Sequence, residues 1–188
     1  MLEGEIGLLA APAVSQNGDA MVELAPMRSM ASIALVGDDL KLLLDVLGGM
    51  LPLPGRILQA GDTLYLWSGP ASWLALANGD DPDFGSTLAQ RLAGVAAVTD
   101  QSDGQAILRV HGASARAALA KLLPIDLHPR VFTENATAMT LAGHINVQIW
   151  RSGEDGFELA CFRSFAGALY EALCDSCREF QTGSSGRG

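Results

Sequence analysis

One order of apolar runs occurs twice along this chain, and any fold must accommodate both copies. The first opens with a strand-like run at 32–37. Asp38 and Asp39 then offer an N-cap to a helix striped by Leu40, Leu43, Leu44 and Leu47 and stopped by Gly48-Gly49. Strands at 56–60 and 63–67 follow around the Gly61-Asp62 turn. After them come a strand at 73–77, an acidic loop at 78–83 and a short helix at 86–92 closed by Gly94. The second copy has strands at 95–99 and 106–110 and a helix over 112–123 striped by Ala115, Ala118, Leu119 and Leu122. Strands near 138–142, 145–151 and 157–162 then lead to a last helix, capped by Ser164 and striped by Phe165, Leu169, Leu173, Cys177 and Phe180.

The repeat can be aligned by offset. Residues 33–36 correspond to 107–110, since 107 − 33 = 74, and 64–67 to 147–150, since 150 − 67 = 83; the nine extra residues fall in the loop containing His128. Each copy reads as strand, helix, two or three antiparallel strands, helix. The expected fold is therefore α+β, two ferredoxin-like units sharing one core. Residues 1–30 show no sustained periodicity, with a turn at 15–19, and are expected to be an N-terminal extension. A single domain is expected over 31–181, with halves 31–94 and 95–181, and a tail over 182–188.

Composition narrows the function classes. Twelve Lys+Arg against 21 Asp+Glu give a net charge of −9, and a hydrophobic fraction of 49% with 18% charged residues suffices for an ordinary core. Lys41 and Lys121 are the two lysines, and the arginines are scattered singly, so the clustered cations that displace counterions from nucleic acid are missing. The apolar stretch 42–53 is broken by Asp45, Gly48, Gly49 and Pro52, far short of the roughly 20 residues of a spanning helix, so no membrane partner is expected. Glu3 and Glu5 stand where a signal peptide would carry base, which points to the cytoplasm.

Familiar catalytic signatures are missing: there is no G-x-G-x-x-G, G-x-x-x-x-G-K-[ST], G-x-S-x-G or H-E-x-x-H. His111, His128 and His144 fall at a strand end, in a loop and at a hairpin turn, so no two share a helical face as a zinc site prefers. Cys174 and Cys177 form a C-x-x-C spaced pair late in a helix, away from the helix N-terminus that would lower a thiol pKa, and read as structural; a zinc site would have only Cys161 and the dispersed histidines to complete it. The most unusual segment is Asp126-Leu127-His128-Pro129-Arg130. Pro124 and Pro129 favour extended backbone before them, which projects Asp126, His128 and Arg130 to one side. Two readings remain open there. Asp126 accepts turn N–H bonds while Arg130 makes an ion pair, or the loop is a docking element or ligand edge.

This loop and its surroundings resemble the gamma subunit of heterotetrameric sarcosine oxidase. The resembling text comprises Thr99-Asp100-Gln101-Ser102-Asp103-Gly104, Leu108-Arg109-Val110-His111-Gly112, Pro-Ile-Asp-Leu-His-Pro-Arg-Val-Phe at 124–132, Trp150-Arg151, Phe157-Glu158-Leu159 and Arg163-Ser164-Phe165-Ala166. It covers the C-terminal half, while 56–77 matches in pattern only. The family is similar in turn to the folate-binding module of the glycine-cleavage aminomethyltransferase, which implies the same doubled architecture.

The resemblance implies an accessory subunit, without catalytic, cofactor or metal residues of its own, in a cytoplasmic heterotetramer. That complex oxidatively demethylates sarcosine and passes the one-carbon unit to tetrahydrofolate. FAD, NAD and covalent FMN lie with its alpha and beta subunits, zinc with delta, and folate with a module of alpha. Sarcosine, dimethylglycine and N-methylglutamate are all open as the partner enzyme's substrate. Candidate contact residues are Trp67, Trp73, Asp126, His128, Arg130, Trp150 and Arg163, since aromatic and arginine side chains anchor interfaces; for the tryptophans, burial in the core is the competing expectation. Two other classes compete with the subunit reading. One is a free-standing tetrahydrofolate binder using a carboxylate such as Asp126 or Glu158, and the other is a homodimeric structural domain.

Overall fold

The structure is a computed structural model, and it describes residues 19–180. Strand β1 (Met21–Leu24) precedes the first repeat, which runs β2 (Met30–Leu35), α1 (Leu40–Val46), β3 (Ile57–Ala60), β4 (Thr63–Gly69), β5 (Ser72–Ala77), α2 (Phe84–Arg91) and β6 (Ala96–Asp100). The second runs β7 (Gln105–His111), α3 (Ala115–Leu122), β8 (Thr137–Ala142), β9 (Ile145–Arg151), β10 (Gly156–Phe162) and, after a 3₁₀ turn at Arg163–Phe165, α4 (Ala166–Cys177). All strand pairs are antiparallel. One sheet has the order β3-β4-β5-β2-β6, the other β8-β9-β10-β7-β1. Read from β6 and from β1, each is the ferredoxin-like order with one strand added beyond the β4 or β9 position.

The two sheets match strand for strand, but the edge strands come from different parts of the chain. β6 pairs with β2 and so completes the first unit, which moves the boundary between halves from 94 to beyond Asp100. The corresponding place in the second sheet is filled by β1, from the segment expected to be an extension; Met21 to Leu24 pair with His111 to Leu108. Four residues with one apolar alternation, Val22 and Leu24, are too short to show periodicity, which is why sequence alone left them as extension.

The repeat is also one residue out of register with the alignment expected from sequence. Gly61 and Gly143, at φ 57° and 60°, each open a two-residue hairpin loop, which makes Thr63 equivalent to Ile145, an offset of 145 − 63 = 82. Trp67 faces Trp73, which faces Ile33; their equivalents are Ile149, Leu159 and Leu108, an offset of 108 − 33 = 75. The offsets of 74 and 83 each miss by one, and a slip of one residue transfers every side chain to the other face of its strand. Ile33 thus matches Leu108 on the helix-covered face rather than Ile107 on the opposite one.

Three apolar clusters follow from this geometry. Leu43, Leu47, Leu88 and Leu92 of the first helical layer pack on Ile33, Tyr65 and Trp73. Leu119, Leu169 and Leu173 of the second pack on Leu108, Ile149, Phe157 and Leu159. Between the sheets, Met30, Leu66, Leu74 and Leu76 meet Ile107, Trp150 and Ala160, giving helix, sheet, sheet, helix layers. Central strands such as β5 and β10 are buried on both faces, hence their continuous apolar runs. The sheets are also joined edge to edge. Arg56 bridges Ala136, Ile57 N–H donates to Asn135 O at 2.9 Å, and Thr137 N–H donates to Gly55 O at 3.0 Å.

Local signals are mostly kept. Asp39 caps α1, its Oδ1 accepting from Leu42 N–H at 2.9 Å. Of the expected α1 stripe, Leu43 and Leu47 are buried while Leu40 is exposed. Ser164 does not cap α4. The 3₁₀ turn intervenes, α4 begins at Ala166, and the phase change leaves Phe165 exposed.

Candidate functional site

Two regions of the second sheet hold the polar side chains that matter. The first is a row across β1, β7 and β10, where Glu23, Arg109 and Glu158 pair in register on the face that looks toward the other sheet. Glu158 is 1% exposed. Its Oε1 accepts from Arg109 Nη2 at 2.7 Å and Arg109 Nε at 3.3 Å. Arg28, in the link between β1 and β2, donates from Nη2 to Oε1 at 3.0 Å and from Nη1 to Oε2 at 3.1 Å. Arg109 Nη1 donates to Glu23 Oε1 at 3.2 Å, and His111 Nε2 lies 3.7 Å from the same oxygen.

A buried carboxylate held between two guanidiniums satisfies the rule that internal charge must be paired and hydrogen-bonded. The hydrogen bond to Glu158 also raises the Arg109 pKa above its ordinary range, more strongly than burial lowers it. The network ties the β1 segment to the second sheet. Sequence reasoning named Glu158 as a possible pterin partner, but both of its oxygens are taken by arginines. Arg28, Arg109 and Glu23 were missed as a group. The available signal was the pair of lone charges in apolar strands, Arg109 within Ile-Leu-Arg-Val and Glu158 within Phe-Glu-Leu.

The second region is the loop after α3. Asp126 Oδ1 accepts from His128 N–H at 2.8 Å, and His128 Nδ1 accepts from Arg130 N–H at 3.2 Å, so the three residues meet through successive turn bonds. Arg130 makes no ion pair among the described residues, against the ion pair expected for it. Leu127 and Phe132 anchor the loop in the core, with the Phe132 ring 6.3 Å from that of Phe157. Arg116 donates to Leu127 O and lies over the Phe157 ring at 5.1 Å.

The remaining candidates separate by burial. Trp150, 1% exposed, belongs to the layer between the sheets, and Trp73, 5% exposed, donates from Nε1 to Pro52 O at 3.3 Å. Both are core residues, which removes them from the expected contact surface; strands covered on both faces leave an aromatic ring no route outward. Trp67 is half-buried beside Trp73. Arg163 is half-buried, donating to Asp103 O at 2.7 Å and Ser102 O at 3.2 Å. The aromatic rings presented to solvent next to it are Phe162 and Phe165.

Arg163 also lines a cleft of about 40 Å³ with Met27, Arg28, Ser102 and Gln105, room for a few water molecules rather than a pterin. Burial pushes the Cys161 thiol up to about 11 and raises those of Cys174 and Cys177, outweighing the nearby Arg178 and Lys121 charges, so the three thiols are held protonated rather than activated. Among the described residues no helix is long and apolar enough to cross a membrane, and no group of three His, Cys, Asp or Glu is arranged to hold a metal ion.

Comparison with known proteins places this arrangement. The model of the sarcosine oxidase, gamma subunit family matches residues 41–179. The sarcosine oxidase subunit gamma of Corynebacterium sp. strain U-96 is 35% identical over 133 residues, 68% of this chain and 64% of that protein. That of Corynebacterium sp. strain P-1 is 33% identical over 122 residues, 63% of this chain and 58% of that protein. The matched segments thus span about three-fifths of these relatives' lengths. Among solved structures, the heterotetrameric sarcosine oxidase from Corynebacterium sp. U-96 in complex with pyrrole 2-carboxylate contains a chain that superposes with a TM-score of 0.80 at 26% identity. The superposition covers 98% of this chain and 96% of that one. The glycine cleavage system aminomethyltransferase T from Bartonella henselae shares the fold, with a TM-score of 0.63 at 20% identity over 85% of this chain and 46% of its own. A family match across both repeats, on a doubled sheet scaffold that superposes from end to end, means that this chain belongs to the sarcosine oxidase gamma subunit family.

Proposed function

We propose that the chain is the accessory gamma subunit of a heterotetrameric sarcosine oxidase. There it supports oxidative demethylation of sarcosine and transfer of the one-carbon unit to tetrahydrofolate. Its neighbours in that assembly are alpha, beta and delta subunits, which hold the FAD, FMN, NAD, folate and zinc. The observation that carries this reading is the end-to-end superposition on a chain of such a heterotetramer, 98% of one chain on 96% of the other. The chemistry of the polar groups agrees with a scaffolding task. Glu158 is consumed by Arg28 and Arg109, while Asp126 Oδ1 and His128 Nδ1 each accept a turn N–H bond. The subunit works by presenting a rigid surface, to which Phe162, Phe165, His128 and Arg130 contribute exposed aromatic and polar groups.

The test is co-expression of the four chains with and without this one. Full sarcosine-dependent activity and a stable assembly are expected only when it is present; unchanged assembly and activity in its absence refute the proposal. Isothermal titration of the isolated chain with tetrahydrofolate addresses the rival: silence is expected, and saturable heat in the micromolar range favours a free-standing folate binder.

A further inference from the structure

The start of α3 gathers two arginines that the fold's ion pairs do not neutralise. Arg151, at the end of β9, is 9% exposed and faces Phe157 of β10 across the ladder. Its Nη2 donates to Glu154 O at 2.5 Å, but its buried Nε–H has no acceptor among the described residues. Arg116, in the first turn of α3, lies over the Phe157 ring, and Arg151 is the ladder partner of the same residue, so Phe157 links the two arginines. Neither makes an ion pair among the described residues.

Burial lowers the Arg116 pKa first, the charge of Arg151 lowers it further, and Asp155 opposes both. The amino end of α3 adds partial positive charge, and Ser114 supplies no side-chain capping bond there. A chain of net charge −9 therefore keeps two adjacent, partly desolvated cations and an unused buried donor at one corner. Their ordinary complement is an oxygen anion that accepts more than one N–H at once.

We propose that Arg116 and Arg151 form a binding site for an oxyanion, a carboxylate or a phosphate group, roofed by the 126–132 loop. The roof is attached to the site directly, since Leu127 O takes a bond from Arg116 and Phe132 packs on Phe157. The oxyanion has two possible sources, a free anion or an acidic side chain of a neighbouring subunit, and the same pair of guanidiniums recognises either.

The test is titration of the full chain, labelled with ¹⁵N-arginine, with inorganic phosphate at constant ionic strength set by potassium chloride. The Nε–H resonances of Arg116 and Arg151 are expected to shift saturably. Arg151→Gln is expected to abolish the response, and Arg116→Lys to weaken it at least tenfold; Arg151→Lys, which keeps the charge without the Nε donor, serves if the glutamine variant does not fold. A cryo-electron microscopy map of the co-expressed complex separates the sources: a neighbouring subunit's carboxylate against the pair, or isolated anion density. A phosphate response that survives both Arg151 variants overturns the proposal. So does the combination of no saturable shift in the chain and no oxyanion within hydrogen-bond distance of the pair in the complex.

Discussion

Glu158 is the residue whose role is most sharply defined by its surroundings. Its carboxylate is removed from solvent and receives both guanidiniums, so removing its charge leaves Arg28 without its anion and Arg109 with the outlying Glu23 alone. Glu158→Gln is expected to destabilise the fold by about 3 kcal/mol, the lower end of the cost of breaking a buried pair, measured by urea denaturation. A loss below about 1 kcal/mol would mean that the pair is as weak as an exposed one.

The thiols give a second prediction at this scale. Burial raises the folded pKa of Cys161 from 9.0 to about 11, which disfavours the thiolate in the folded state only. Its contribution to stability is present below about pH 9 and is lost as pH rises from 9 toward 11, because the unfolded chain ionises first. Denaturation curves across that window are expected to show falling stability, less steeply in Cys161→Ala. Native Cys161 is expected to resist iodoacetamide at pH 8 until the chain is unfolded.

At the scale of elements, β1 is the piece that makes the second unit complete. Val22 is 4% exposed and packs in the second core, and the strand occupies the place that β6 occupies in the first sheet. A chain beginning at Met27 loses that strand, bares the outer edge of β7 and gives up the Glu23 contact to Arg109. Such a truncation is expected to broaden or abolish cooperative unfolding and to promote self-association on gel filtration; an unchanged transition would show β1 to be a dispensable extension. Gly112 offers a narrower probe. At φ 113°, a Cβ there would sit 2.5 Å from Asp19 O, just where the chain enters β1, so Gly112→Ala is expected to lower stability by about 2 kcal/mol or more in the same assay.

The element order was legible in the sequence because helices and hairpins announce themselves by period and turn. Asp39, Gly61 and Gly143 stand where the structure needs them. Register was not legible. Runs such as Trp-Leu-Ala-Leu-Ala in β5 are apolar at every position because both faces are covered, and a pattern without alternation cannot say which face meets the helices. The turn glycines carried that information, since matching Gly61 to Gly143 yields the correct offset for β4 at once. In the Asp126 loop the expected turn bond to Asp126 is present, whereas the expected Arg130 ion pair is replaced by a backbone bond to His128; the Arg28 link to Glu158, across 130 positions, has no local signature.

For the molecule as a whole, two ferredoxin-like units with opposed sheets leave little interior polar space. Glu158 and Trp150, two of the residues singled out from the sequence, are buried in holding the scaffold together. The proposed subunit role draws on the exposed surface that carries Phe162, Phe165, His128 and Arg130. The most direct test is native mass spectrometry of the assembly purified by a tag on this chain after co-expression with the alpha, beta and delta subunits of a sarcosine oxidase. The expected result is one species containing one copy of each chain, with sarcosine-dependent activity. Recovery of the tagged chain alone, while the other three assemble into an active enzyme without it, would contradict the account.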